Sequence, residues 1–448
     1  MCLFSRLRVD SAPLAPKIFV ANTSHCIPTV SEEFFKPLFP LLEASPHRRH
    51  CPALSDSRWL ELGIARVLGD HPSGRSFLQQ ALGLGREIPT CQHFFESLKS
   101  KRRLRLCRDA STRLFQHAGS LLPDPLDGIR DLANFEVLAG DGHWIEHASH
   151  DPLKRSNKGE ETYYPVGHFY LLDLRRHTLR HLALCDQVNR RKEHDMRAIK
   201  RSGAAGIREG IPVGKKTILV WDPAGIDFRL WHDLKHGHGI YFISRTKENL
   251  SVIRCGDLAW DRADPVNRGV ERDEQIGTAT SGVMLRRVTY SDPDSGTAYE
   301  FLTDEMTLRP GVIALLYRMR WDIEKVFDEL KNKLHQTKAW AKSATAKEMQ
   351  AQFICAAHNL MRLLEDRLAR EGIGNATEIK RRAERPGGLP AGETTTPSPP
   401  RWADCLREWL QRFTQRGVKF IRWLRAQLLA PCPWDEACAR LRLIYARC

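Results

Sequence analysis

Residues 216–247 read KTILVWDPAGIDFRLWHDLKHGHGIYFISRTK. An apolar strand, KTILVW, stops at Asp222; a stretch of helical spacing, DFRLWHDLKH, follows; a second apolar strand, IYFISRTK, closes the unit. The same logic extends upstream. FEVLAG (135–140) is a short buried strand ending at Asp141, and YYPVGHFYLLDL with TLRHLALCD forms a hairpin that turns at Arg175 to His177. RRKEHDMRAIKRSGAAGI (190–207) reads as a helix. Strand, hairpin, helix, strand, helix, strand predicts a mixed α/β sheet flanked by helices. Residues 249–303 then shorten into strands and turns, with VMLRRVTYS and AYEFLTDE on either side of the DPDSG turn, which predicts a β-rich insertion before a helix beginning after Pro310.

Outside this core the text changes character. Residues 1–55 are punctuated by Pro and Ser and predict an irregular arm with one short helix near SEEFFKPLFPLL. Residues 56–130 are helical in pattern: SDSRWLELGIARVLG, RSFLQQALGLG, then TCQHFFESLKSKRRLRLCRDASTRLFQHA, each opened by a plausible cap. Lys99, Lys101, Arg102, Arg103, Arg105 and Arg108 make the third segment strongly basic, so a DNA-backbone contact and a solvated helix face both stand as readings. The core domain spans 131–370, a Pro/Gly/Thr-rich linker 385–401 and a basic helical tail 402–448. Between 401 and 448 ten Lys and Arg face four acids, interleaved with Trp402, Trp409, Trp423 and Trp434. That segment suits nucleic acid or a subunit contact, and its sequence does not choose. No internal repeat is present.

The 448 residues carry a formal net charge of +15 and a pI near 9.4, which favours a polyanionic partner. Twelve cysteines are scattered with no CxxC pair, a pattern of reduced thiols and not of a disulfide or zinc scaffold. His47, His50 and Cys51 in HRRHC are too isolated to specify a metal site. No signal segment and no apolar run of membrane-spanning length appear, so the expectation is a cytoplasmic protein with no membrane partner.

The chemistry gathers at strand ends. Asp141 and Asp222 terminate apolar strands, where ligands collect in α/β sheets. A third acid comes from YRMRWDIEKVFDELK (317–331), in which Tyr317, Arg320, Glu324 and Lys331 fall within an arc of about 60° on a straight α-helix. The apolar residues of that stretch occupy the opposite side, so a phosphate-facing site and an ordinary solvated face are both open on spacing alone. Three carboxylates from three elements make a donor set for a pair of hard divalent cations, and they repel one another unless cations are present. Asp328 shares the arc with Glu324, and Asp131, Glu136, Asp227 and Asp233 are acids lying off the strand ends. His143, His147 and His150 follow Asp141 at spacings that alternate faces on a strand, a poor zinc pattern. Trp260 reads as a core tryptophan before a base-stacking one.

The run LYRMRWDIEKVFDELK resembles the Tyr-x2-Arg-x3-Glu-x6-Lys signature of DDE transposases of the bacterial insertion-sequence type, the insertion-sequence-four family. All four positions match, and VLAGDG, ILVWD with FISRTK, and FLTDEMTLRPGVIALL resemble the family's flanking stretches over about residues 130–365. The sequence differs where Asp-Gly-His replaces Asp-Gly-Thr at the first motif and where Pro223 follows Asp222. The resemblance implies an RNase H-like catalytic domain with a β-rich insertion. It implies Asp141, Asp222 and Glu324 as catalytic metal ligands for two Mg²⁺ (or Mn²⁺) ions, with Tyr317, Arg320 and Lys331 on DNA phosphates. It also implies cleavage at terminal inverted repeats and joining of the freed 3′-OH to target DNA, by a homodimer on double-stranded DNA. A metal-dependent nuclease without strand transfer and a non-catalytic DNA-binding remnant are the alternatives.

Overall fold

In the computed structural model of the protein, the described residues are 27–446 apart from 85–87, 152, 156–158, 160, 164, 186–194, 223–225, 248–249, 279–282, 294 and 375–414. The linker at 385–401, Trp402, Trp409 and Pro223 therefore lie outside the described residues.

Two short helices, α1 (Val30–Phe35) and α2 (Leu38–Glu43), open the described chain; Thr29 and Glu32 form a reciprocal capping box at α1. Four more follow: α3 (Asp56–Leu68), α4 (Gly74–Gly83), α5 (Cys91–Ser97) and α6 (Lys101–Leu121). Ser55, Ser73, Thr90 and Ser100 cap them, each accepting the backbone N–H three residues on. The stretch 90–118 is thus two helices and not one, because Ser100 caps a new start at Arg103 N–H.

The sheet begins with β1 (Phe135–Ile145), which runs through Asp141 instead of ending there. A two-stranded ribbon, β2 (Lys154–Arg155) and β3 (Glu161–Thr162), precedes the hairpin β4 (Val166–Asp173) and β5 (Leu179–Cys185). Helix α7 (Asp195–Arg208) leads to β6 (Lys216–Val220); α8 (Phe228–His238) leads to β7 (Ile240–Arg245). Asp227 caps α8 at its start and Gly239, with φ +64°, ends it in the left-handed conformation. Strands β8 (Val252–Asp257), β9 (Val270–Thr278), β10 (Met284–Ser291) and β11 (Ala298–Thr303) complete the set.

Nine strands form one sheet in the order β5-β4-β1-β6-β7-β11-β10-β9-β8. Strands β1, β6 and β7 are mutually parallel neighbours and the remaining pairs are antiparallel. Its first five strands follow the RNase H-like arrangement. The β-rich stretch is not a separate layer: β11 pairs with β7 through Phe301 to Thr303 against Arg245 to Ile243, so the insertion prolongs the sheet. A buried fork, Arg286 to both oxygens of Asp273 at 2.8 and 2.6 Å, ties β9 to β10, and Arg286 also donates to the Leu308 carbonyl ahead of the next helix.

That helix is α9 (Pro310–Met319), with Pro at its first position; α10 (Trp321–Asp328), a π-helical turn at Glu329–Lys333 and α11 (Ala344–Arg370) follow. Alternation along the strands decides which helices cover which face. Val137, Ala139, Tyr170, Ile218 and Val220 pack with α9, α10 and α11 and the N-terminal helices. Leu138, Phe169, Leu219, Trp221 and Phe242 face α7 and α8 instead. In the tail, α12 (Val418–Leu429) packs on α1 and α3, and α13 (Trp434–Ala446) packs on α1 and α12. Trp423 and Trp434 are buried there, so this part of the tail folds back on its own chain.

Candidate active site

The parallel register of β1 and β6 runs from Phe135↔Lys216 to Ala139↔Val220. The ladder stops there: β1 continues through Asp141, whereas β6 ends at Val220 and Asp222 follows two residues beyond it. Asp141 continues the row of Ala139 on the face covered by α9 to α11, where Arg320 meets it. Gly140 and Trp221, one residue earlier, belong to the opposite face, where a Cβ at Gly140 would come within 2.5 Å of the Trp221 ring. The absent side chain therefore lets the indole seat against β1, just behind the two acids.

Over this edge lies the joint between α9 and α10. Arg320 stands at that joint, its Nη1 3.7 Å from Asp141 Oδ2 and its Nη2 donating to Glu324 Oε1 at 2.9 Å. Burial opposes its charge, but Tyr317, Glu324 and Asp141 outweigh burial and hold its pKa above the usual arginine value. Tyr317 packs its ring 5.0 Å from Phe301; burial raises its pKa, the Arg320 charge works against that, and the Asp222 carboxylate adds to it. One group thus links β1, β6 and the signature helices: Asp141, Arg320 and Glu324 in contact, with Tyr317 reaching from Arg320 towards Asp222.

The straight-helix arc does not survive in this form. Arg320 keeps helical φ/ψ at the joint of α9 and α10, but the π turn at Glu329–Lys333 widens the helix around Lys331, so straight-helix spacing does not carry through to it. Lys331 is exposed, and its charge is felt by His143, two residues after Asp141 on β1. His143 lies against Phe327 with ring centroids 4.9 Å apart, and burial lowers its pKa to about 4.

The remaining acids have other occupations. Asp328 accepts from Gln415, Asp131 pairs with Arg309, Glu136 with Arg176 and Asp227 with Lys200, while Asp233 sits on the solvent side beside His232. His147 stacks on Tyr163 at 3.9 Å, and Trp260 is half-buried against the core with Arg262 over its ring. In the basic helix Arg102 forks onto Asp56, Arg103 is buried against the Leu54 carbonyl and Arg108 pairs with Glu348. Lys101 and Arg105 remain outward.

Among the described residues, no three Asp, Glu, His or Cys side chains stand close enough together to hold a metal ion as they are. The donor chemistry nonetheless suits a hard divalent cation: one carboxylate on β1, one just past the end of the neighbouring strand β6, and a third tied to the first by a single guanidinium. Arg320 neutralises the carboxylates that cations would otherwise neutralise, and its Nε is buried without a hydrogen-bond partner.

Two features escaped the sequence. Arg245 ends β7 next to β6, is exposed, and acts electrostatically on Tyr317; strand order was the signal that would have found it. Trp321, beside Arg320, exposes 57% of its surface, against the rule that large aromatics are buried.

A family model described as the transposase DDE domain matches residues 133–360, just over half of the chain, and the chain belongs to that family. Among solved structures it is similar to a piggyBac transposase synaptic complex with hairpin DNA, determined by cryo-EM, at 11% identity over 86% of this chain and 82% of that one. The TM-score of that match is 0.35. No curated protein sequence matches. Among the described residues no helix is long and apolar enough to cross a membrane.

Proposed function

We propose that this chain is a DNA transposase of the insertion-sequence-four kind, which cleaves the ends of its element and joins the freed 3′-OH to target DNA. The observation that carries the reading is the Arg320 bridge from Asp141 on β1 to Glu324 on α10, beside the end of the neighbouring strand β6 that leads to Asp222. The transposase DDE domain over residues 133–360 supports it independently. Asp141, Asp222 and Glu324 are the residues that would hold two Mg²⁺ or Mn²⁺ ions. Such a pair, when bound, supplies activation of the attacking oxygen and stabilisation of the leaving one.

The chain's own groups do the rest. Arg320, once released from the carboxylates, presents a guanidinium fork to a phosphate, and Tyr317 offers a hydroxyl held protonated by its raised pKa. Lys331 contributes a point charge from the exposed turn, where a duplex can reach it. The +15 charge favours a polyanionic partner, which in this reading is double-stranded DNA at both the terminal repeats and the target. A homodimer would pair the two ends. Lys101 and Arg105 are the part of the basic helix open to a DNA backbone.

The test is incubation of the purified chain with Mg²⁺ and a linear duplex carrying the flanks of its own coding segment. Strand nicks with free 3′-OH ends and joined products support the reading. Nicks without joining favour a nuclease, and binding without nicks favours a DNA-binding remnant.

A further inference from the structure

The π turn at Glu329–Lys333 lies between Glu324 and the loop that returns to β1, and such turns are rare and frequent at functional sites. Its support comes from the start of the described tail. Gln415 Nε2 donates to the Lys325 carbonyl at 3.0 Å and to Asp328 Oδ2 at 2.8 Å, on the side of the turn that faces Glu324. Arg416 is buried at 3% exposure and grips Glu329 twice, through its backbone N–H to Oε1 and through Nη1 to Oε2 at 2.8 Å. Its Nε donates to Glu365 on α11 at 3.0 Å, so one guanidinium binds the turn to the long central helix. At the far end, Lys333 Nζ donates to the Arg416 carbonyl at 2.7 Å, and Arg425 Nη2 donates to the Lys333 carbonyl at 2.8 Å.

Both ends of the turn are therefore held by residues more than eighty positions later, and Lys331 lies between the two grips. A buried ion pair of this kind is weak evidence of stability and better evidence of a required geometry. Removing one partner leaves a charge stranded; keeping both fixes one arrangement.

We infer that the tail segment beginning at Gln415 and Arg416 sets the position of the signature helix, with Arg416 a positioning residue for Glu324 and Lys331. The inference rests on the proposed catalytic reading for its consequence, but the clamp itself does not. It also assigns the tail an intramolecular role, in addition to any contact with DNA.

Two substitutions in the full-length chain test it: Gln415→Ala, which removes the grip on Lys325 and Asp328, and Arg416→Lys, which keeps the charge and loses the fork. Amide hydrogen exchange of residues 325–333 is expected to speed up about tenfold in each, while β1 and β6 exchange as in the parent. Unchanged exchange at 325–333 overturns the clamp. Turnover on the linear duplex with its native flanks is expected to fall about tenfold or more in kcat, with KM for the duplex unchanged, because the reacting groups are displaced and not removed. Faster exchange with unchanged kcat makes the tail a structural prop and refutes the positioning role. If the parent chain itself fails to cleave, the catalytic reading falls while the exchange result still decides the clamp.

Discussion

Arg320 lies between Asp141 and Glu324, 3.7 Å from one carboxylate and 2.9 Å from the other. It does with one positive charge what bound cations would do with more: it keeps two acids from different elements together. Arg320→Gln should leave the fold intact but weaken this junction, with kcat falling roughly a hundredfold or more. Glu324→Gln should lose activity as fully, yet lower stability by less than about 1 kcal/mol, since the Glu324 side chain is about one-third exposed (32%) and its pair is screened. Denaturant melts of both variants beside their cleavage rates check this; a large stability loss in Glu324→Gln would mark a structural pair.

Gly140 is fixed by the Trp221 ring behind the two aspartates. Gly140→Ala drives a methyl into that indole, which also stacks on Phe169 at 5.0 Å. The expected loss is about 1 to 3 kcal/mol by chemical denaturation. Activity should fall with it, because relief of the clash shifts β1 against β6. An unchanged melting curve would mean that the two strand ends are less tightly coupled than described.

A buried ion pair ties two strands of the insertion, β9 and β10, to each other. Asp273 and Arg286 are buried and paired by two hydrogen bonds, so Asp273→Ala strands a guanidinium in the interior. A loss of about 3 to 5 kcal/mol is expected, and the double change Asp273→Leu with Arg286→Met should recover much of it. Urea unfolding of the three proteins measures both values.

Two buried groups give stability opposite slopes with pH. Burial pushes the Asp304 carboxyl up to about 7, against the Phe242 N–H that it accepts. Its folded pKa is above its unfolded one, so the neutral form favours folding, and that contribution fades as pH rises from about 4 to about 7. Asp304→Asn should therefore stabilise the chain above pH 7 by more than about 1 kcal/mol and do little below pH 4. Burial lowers His181 to about 3, with the Arg108 charge adding to the effect. Its folded pKa is depressed, so stability is lost as pH falls from about 6.5 towards 3. His181→Gln should flatten that acid limb in melts run across the range.

Much of the sheet was legible because its strands are short apolar runs with period-two alternation or full burial, as in β4 and β6. The ends of β1 and the merging of the insertion with the sheet were not. The strand read from the sequence ends at Asp141, whereas β4 pairs with Asp141, Gly142 and His143 and carries β1 to Ile145. The pairing of β11 with β7 is a long-range contact that local patterning does not encode. At the site, the spacing of Tyr317, Arg320 and Glu324 was readable, but it assumed an unbroken α-helix. The π turn is held by groups far along the chain, Gln415 and Arg416 among them, and no window around 317–331 contains them. Arg102 and Arg103 likewise read as a basic face and instead meet Asp56 and Leu54 in the interior.

In the proposed function Asp141, Asp222 and Glu324 work as one site on DNA. Strand cleavage and joining on a linear duplex with native flanks, by the parent chain and by Asp222→Asn, in Mg²⁺ and with both proteins shown to be folded, tests this. Cleaved 3′-OH ends and joined products from the parent, with both lost in Asp222→Asn, are the predicted result. Undiminished cleavage by Asp222→Asn would contradict it.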